Sequence, residues 1–182
     1  MTQPISLRSL TAPAAAGFEQ PFEMLEACHE RVHRTLALLA RLRAHLRDNG
    51  ADVQAQQAAR DVMRYFDLAA PQHHLDEELH VFPPLLAQGD PRVVEVVQRL
   101  REDHLQMEAR WQAAREVLAL VAGAQVDRLS EDQDARLEAF AGLYDGHIRS
   151  EEEIAYPAAQ AVLDEPARAA MSEDMMRRRR TG

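Results

Sequence analysis

The sequence contains a single cysteine, Cys28, among its 182 residues. One thiol excludes an intramolecular disulfide framework and is typical of a reducing compartment. No apolar run approaches the roughly 18 residues of a membrane span. Residues 1–17 lack the continuous apolar core of a signal peptide, so we expect residues 1–20 to form a flexible lead-in. These absences predict a cytoplasmic protein with no membrane segment.

Positive charge is also scarce. Lysine and arginine together number 21 against 30 aspartates and glutamates, which gives a formal net charge of −9 and a pI of about 5.3. Such an acidic chain disfavours general binding to nucleic acid, and we expect no nucleic-acid partner. The basic run "RRRR" at 177–180 is predicted to be part of a disordered, solvated tail, with contact to an acidic partner or to nucleic acid as the alternative.

Helix-forming residues dominate the chain. Strand-like runs of aromatic and β-branched residues are few, whereas Ala, Leu, Arg, Glu and Gln are common. Asp90 before Pro91, and Ser130 with Gln133 three residues later, are typical helix starts. Breakers divide the chain into four long helical segments. These cover approximately 21–49, 52–88, 91–122 and 130–163.

Four segments of about thirty residues with short connections predict a single all-α domain. We expect an antiparallel up-down-up-down four-helix bundle over residues 21–164. Residues 165–182 are expected to form a C-terminal tail, with a short extra helix as the alternative.

The second and fourth segments share a repeated pattern. A shift of 74 residues places "HHLDEELHVFP", starting at His73, on "HIRSEEEIAYP", starting at His147. A shift of 75 residues places His29 on His104. These matches predict an internal two-fold pseudo-repeat, in which the first helix pair resembles the second. We interpret the aromatic-proline pair that closes each stretch, such as Tyr156-Pro157, as a helix-end feature rather than as chemistry.

Ionisable residues occupy positions of the apolar stripe on all four segments. They are His29, His73, His104 and His147, with Glu77 and Glu151 each one turn after a histidine, on the same face. Burying such groups without partners would cost roughly several kcal/mol each. A lone buried histidine is most often satisfied by its neighbours, but four at matching heights with two glutamates favour a metal site. A mixed imidazole and carboxylate set fits two divalent ions, iron first, with manganese or zinc as alternatives.

These residues resemble the hemerythrin-like family, also called the hemerythrin HHE cation-binding domain. The resemblance rests on "CHERVHRTL", "HHLDEELHVFP", "EDHLQMEARW" and "HIRSEEEIAYP", within residues 28–157. It implies a four-helix bundle that holds two iron ions, with a bridging oxo or hydroxo group. The ligands it implies, with both glutamates bridging the ions, are His29, His73, Glu77, His104, His147 and Glu151.

The sequence departs from the oxygen-carrying hemerythrins, which have the pattern H-x-x-x-H on the third helix and H-x-x-x-x-D on the fourth. Here Glu108 follows His104, so the fifth histidine is missing from its usual place and reversible oxygen carriage is in doubt. His33 and His74 are candidates to replace it or to hydrogen-bond to the ligands, although His74 is about 100° from His73 around a helix. Further candidates for such outer contacts are Glu78, Glu108, Tyr144 and Glu152, with solvent exposure or core packing as the alternative for each.

The resemblance implies several functions that would use the same ligands. We expect the protein to bind or sense O2 or a related small oxidant. The alternative is an enzyme that removes nitric oxide or peroxide, or a protein that donates iron for iron–sulfur cluster repair. Residues 1–20 contain no cysteine, which disfavours the repair role. A metal-free structural bundle explains neither the buried glutamates nor the repeat.

Overall fold

The computed structural model describes residues 20–181, and this part of the chain is helical apart from short connections. It contains the helices α1 (Pro21–Asn49), α2 (Val53–Asp76), α3 (Phe82–Gln88), α4 (Pro91–Ala122), α5 (Glu131–Ala141), α6 (Tyr144–Ser150), α7 (Tyr156–Val162) and α8 (Glu165–Thr181). A first π-turn, Glu77–Val81, joins α2 to α3, and a second π-turn, Glu151–Ala155, joins α6 to α7. The predicted flexible lead-in lies outside the described residues except for Gln20.

The helix starts follow from local sequence chemistry. Asp90 caps α4 by accepting a hydrogen bond from the backbone amide of Arg92, and Pro91 takes the first helical position. Ser130 and Gln133 form the predicted capping box at α5. Both predicted starts are confirmed.

The prediction of an all-helical fold is confirmed, and the described residues contain no strand. Helix α1 packs on α2, α2 on α4, and α4 on α5. The antiparallel up-down-up-down order and the two-fold repeat stay predictions. The regular helical spacing of 3.6 residues in the sequence did not predict the π-turns. In a π-turn, the backbone amide of residue i+5 donates a hydrogen bond to the carbonyl of residue i. The two π-turns begin at Glu77 and at Glu151, the two glutamates singled out in the sequence.

Two apolar clusters form the core, and the buried histidines lie where they meet. The larger cluster includes Val32, Leu39, Val62, Phe66, Trp111, Leu118 and Phe140. The smaller one includes Phe22, Leu25, Val81, Leu100, Tyr156, Met171 and Met175. Along α1, His29 falls between Leu25 of the smaller cluster and Val32 of the larger one. The ionisable groups are therefore flanked on both sides by packed apolar side chains.

Helix α8 packs against α1 and completes the smaller cluster. Its basic end pairs with Asp76, which is fully buried: Arg178 Nη2 lies 2.6 Å and Arg179 Nη2 2.5 Å from the two Asp76 oxygens. The prediction of a disordered, solvated tail at 177–180 is wrong. A buried carboxylate needs a compensating charge, and the composition of the chain did not show that Asp76 is the partner of these arginines.

None of the helices in the described residues combines the length and the apolar character that a membrane span requires.

Candidate metal centre

Seven ionisable side chains from four helices and both π-turns meet at the centre of the protein. They are His29 on α1, His73 and His74 on α2, His104 on α4, His147 on α6, and Glu77 and Glu151 at the starts of the π-turns. Both glutamates are 0% exposed, and all the histidines except the partly buried His74 are buried. Such a cluster is stable only if its charges and polar atoms find partners.

The seven side chains form two groups. Ligand atoms of His74, His104 and His147 lie within 4.8 Å of one another. The same limit holds for ligand atoms of His29, His73, Glu77 and Glu151. We call these the three-histidine group and the two-histidine group. Each has the size and chemistry of a site for one metal ion.

Glu77 links the two groups. Its Oε1 lies 3.4 Å from His73 Nε2, in the two-histidine group, and its Oε2 lies 3.4 Å from His104 Nε2, in the three-histidine group. Glu151 does the same. Its Oε2 lies 3.1 Å from His29 Nε2 and its Oε1 lies 2.8 Å from His147 Nε2. Each carboxylate therefore presents one oxygen to each group.

Several of these atoms approach one another without forming hydrogen bonds. Glu77 Oε2, both Glu151 carboxylate oxygens, and Nε2 of His104 and His147 are buried with no hydrogen-bond partner among the described residues. Unpaired buried acceptors are costly. A divalent cation would accept electron pairs from all of them, so the donor set fits metal ions.

The electrostatics of the two glutamates are unequal. Burial, reinforced by the charge of Glu151, raises the pKa of Glu77 to about 7. Burial also opposes ionisation of Glu151, but His147 and the other surrounding imidazoles outweigh it and hold the pKa of Glu151 well below its usual value. Glu151 is therefore the carboxylate that stays charged.

Protons on two histidines offset the charge of Glu151, and that of Glu77 when it ionises, when no metal is bound. Burial disfavours a charged His29, yet Glu151 and Glu77 raise the pKa of His29 to about 9. The same carboxylates overcome burial at His104 and raise its pKa to about 10. Burial and neighbouring histidines lower the pKa of His73 well below its usual value, so His73 is neutral. A metal ion at each group would take the place of the proton on His29 in one group and on His104 in the other.

The family model of the hemerythrin HHE cation-binding domain matches residues 20–159. This chain belongs to the hemerythrin HHE family. Among curated proteins, an uncharacterized protein of Haemophilus influenzae is 32% identical over 140 residues, which cover 76% of this chain and 78% of the relative. The resemblance drawn from the sequence is confirmed. The cation-binding domain and the clustered histidines and glutamates together establish a centre able to hold a metal.

Carboxylates outside the hemerythrin-type centre hold three of its imidazole rings. Glu152 Oε1 lies 2.8 Å from His29 Nδ1, and Glu78 Oε1 lies 3.2 Å from His104 Nδ1. These contacts turn each Nε2 toward the glutamates, an arrangement that would strengthen the imidazole as a metal ligand. Asp103 Oδ2 does the same for His147, at 3.3 Å from Nδ1. Sequence reasoning missed Asp103, because it contacts a histidine on another helix rather than its neighbour His104.

His74 lies inside the centre rather than around it. Its ring stacks on that of His104, with centroids 4.1 Å apart and planes 13° from parallel. The angle of about 100° between neighbouring helix residues points His73 toward one group and His74 toward the other. The pair of consecutive histidines, together with the missing fifth histidine, was the signal in the sequence.

Tyr156 also reaches the centre. Its hydroxyl donates to Glu77 Oε1 at 2.5 Å and lies 3.2 Å from His29 Nε2. The amide of Tyr156 bonds to the Glu151 carbonyl five residues earlier, so the second π-turn places Tyr156 one turn from Glu151. The interpretation of Tyr156 as only a helix-end feature is therefore wrong.

Three other candidates from the sequence lie outside the centre. His33 on α1 and Glu108 on α4 are exposed. Tyr144 is buried, but its ring packs on Phe66 and Phe140, with centroids 5.6 and 5.4 Å away. The structure thus places Tyr144 in the larger apolar cluster, which was the alternative for this residue.

Proposed function

We propose that this hemerythrin-family protein holds two non-haem iron ions, one at each histidine group, and uses them to bind or sense O2 or a related small oxidant. The observation that carries the proposal is that Glu77 and Glu151 each present one oxygen to each group. Two carboxylates that bridge two imidazole-rich positions are typical of dinuclear iron centres in helical bundles. The mixed oxygen and nitrogen donors favour iron over zinc, which prefers closed four-coordinate sites.

The ligand set would contain five imidazoles. We assign His74 to one ion together with His104 and His147, and His29 and His73 to the other. His74 would then serve as the fifth histidine that the third helix lacks, which removes the sequence-based objection to reversible O2 binding. The second ion has one protein ligand fewer, so a small molecule would bind at the two-histidine group.

The residues around the two-histidine group suit a small polar ligand. A reduced dinuclear iron site supplies two electrons that can be shared with O2 or transferred to it. The Tyr156 hydroxyl lies beside both Glu77 and His29, and it would donate its one hydrogen bond to a ligand there in place of its present bond to Glu77. Burial raises the pKa of Tyr156 well above its usual value, so this donor keeps its proton.

We further propose that the bundle is antiparallel and that its two halves are related by an approximate two-fold axis. The π-turns that begin 74 residues apart, at Glu77 and Glu151, support this arrangement. We propose a cytoplasmic location on the basis of the single cysteine and the acidic composition.

Reduction of nitric oxide or peroxide is the second candidate function. The observation in its favour is Tyr156, because reductions of these molecules consume protons and Tyr156 places a protonated hydroxyl beside the two-histidine group. Iron supplies the electrons, and an external donor would restore them.

One experiment tests both candidates. Protein loaded with Fe(II) without oxygen is exposed to air and then flushed with argon while its optical spectrum is recorded. Reversible binding predicts new absorption bands that disappear when O2 is removed. An enzyme predicts lasting oxidation, with repeated turnover of nitric oxide or peroxide once a reductant is added. A spectrum that none of the three molecules changes contradicts both functions.

A further inference from the structure

A cavity of about 670 Å³ lies between α2 and α4 on the side of the three-histidine group. It is bordered by His74 and His104 and extends along both helices to Trp111. One water molecule needs about 10–15 Å³ of such space, so the cavity is far larger than a single small molecule needs. Its volume is typical of sites that bind organic molecules.

The cavity has an apolar floor and an apolar rim. Phe66, Met107 and Trp111 form a buried floor. At the rim, Leu75 is 39% and Leu105 62% exposed to solvent. Large apolar side chains gain when an apolar body displaces water from them. The walls therefore favour a ligand with a hydrophobic body.

The charges that line the cavity are mainly negative. Asp67 is already engaged, because it accepts hydrogen bonds from Trp111 Nε1 at 3.0 Å and from an arginine outside the cavity. Glu78 accepts a hydrogen bond from Arg101 Nε at 2.9 Å and also contacts the His104 ring.

Two further carboxylates, Glu102 and Glu108, are exposed at the rim and form no hydrogen bond or ion pair within residues 20–181. Arg101 is the single basic residue among the lining side chains, apart from histidine, and it already pairs with Glu78. The net charge left for a ligand is negative.

We propose that this cavity binds a small organic cation, with its hydrophobic body against Trp111 and Leu105 and its ammonium group near Glu102 and Glu108. The cavity is lined by side chains of α2, the first π-turn, α4 and α6, and none of the side chains proposed to contact the cation is a proposed iron ligand. Binding of the cation therefore does not depend on the proposed iron centre, and its failure would not contradict that centre.

Trp111 is the only tryptophan in the chain, so its fluorescence reports occupancy of the cavity. The full chain, both iron-free and iron-loaded, is titrated with phenethylammonium, 2-phenylethanol and 3-phenylpropionate, which share a phenyl body and differ in charge. We expect the cation to have the lowest Kd, by up to about fivefold for each rim carboxylate that it meets. Equal affinities for the three probes, or no binding of any, would overturn the proposal.

Matched variants separate the cavity from general surface effects. Leu105→Arg places a charge in the rim and should abolish binding of the cation. Leu68→Arg is the control, because Leu68 is similarly exposed at 66% and does not line the cavity. Glu108→Gln should weaken the cation by up to about fivefold and leave 2-phenylethanol unchanged.

Two outcomes of these variants contradict the proposal. The first is equal loss of binding in the two arginine variants. The other is the finding that another copy of the chain occupies the cavity. Light scattering would show this as a wild-type dimer that Leu105→Arg converts to a monomer.

Discussion

The two π-turns of the molecule carry the same pair of acidic residues and use them in the same way. Glu77 and Glu151 each face both histidine groups. The following residues, Glu78 and Glu152, each hold the Nδ1 atom of a histidine on another helix. The acidic residues that the two turns have in common therefore make the same kinds of contact in both halves of the centre.

The positions that differ between the two turns make the halves of the centre unequal. His74 corresponds to Ile148, and it adds a third imidazole to one group only. Tyr156 corresponds to a phenylalanine, and it adds a hydroxyl beside the other group.

Asp76, before the first turn, corresponds to Ser150, before the second. Of these two residues, only Asp76 pairs with arginines at the basic end of α8. Repeated residues with such substitutions produce two different histidine groups from one pattern. They also attach a further helix to one side only.

Removal of either shared glutamate should have the largest effect. Glu77→Ala and Glu151→Ala each take away the oxygens that face both groups, so we expect loss of dinuclear iron binding. Iron is measured per chain after loading and desalting. Glu78→Ala is the control, and it should weaken iron binding by about 10- to 100-fold without abolishing it. Wild-type iron affinity in all three variants would show that the ligand assignment is wrong.

His74→Ile makes the first turn like the second. We expect the three-histidine group to lose its iron at concentrations that saturate the wild type, because one of three imidazoles is gone. The bound iron should fall toward one per chain, as measured by metal analysis. His33→Ala, on the exposed face of α1, is the control and should keep the wild-type iron content. If the two variants bind iron equally, His74 is not a ligand.

Asp76→Ser tests whether the ion pairs between Asp76 and the arginines of α8 stabilise the protein. Loss of a buried carboxylate that pairs with two guanidinium groups should lower the free energy of unfolding by about 2–4 kcal/mol. Both arginines are partly exposed and can turn toward water, which limits the cost. Urea denaturation of the metal-free chain measures it. For Ser150→Ala, which touches no buried charge, we expect a change within about 0.5 kcal/mol. Similar values for both would mean that the arginine contacts contribute little.

Tyr156→Phe should have the smallest effect on stability, about 1 kcal/mol for one buried hydrogen bond. We expect unchanged iron content, because the hydroxyl contacts Glu77 and His29 without being needed as a ligand. Reduction of peroxide or decay of the oxidised spectrum should change in rate. Tyr144→Phe, at a buried tyrosine packed in the larger cluster, is the control. Equal rates in both variants would show that the Tyr156 hydroxyl has no role in the chemistry.

The sequence predicted the helices and the buried stripe well, because both depend on local spacing. His29 and His104 stood in apolar stripes on single helices, and spacing alone identified them. His74 reaches the centre because the centre is wide enough to contact two neighbouring faces of α2. A helical wheel of α2 alone does not show this.

The roles of Tyr156 and Asp76 depended on tertiary contacts. A π-turn brings Tyr156 to Glu77, and α8 returns from more than a hundred positions along the chain to reach Asp76. Neither a break in helical period nor a contact of that separation is visible in local patterns.

The most direct test of a dinuclear iron centre is metal analysis with an optical spectrum. The chain is purified without oxygen, loaded with Fe(II), desalted and then exposed to air. The account predicts two irons per chain and new charge-transfer bands of an oxo-bridged pair, both lost in Glu151→Ala. Protein that stays free of iron, with a melting temperature that Fe(II) does not change, would contradict it.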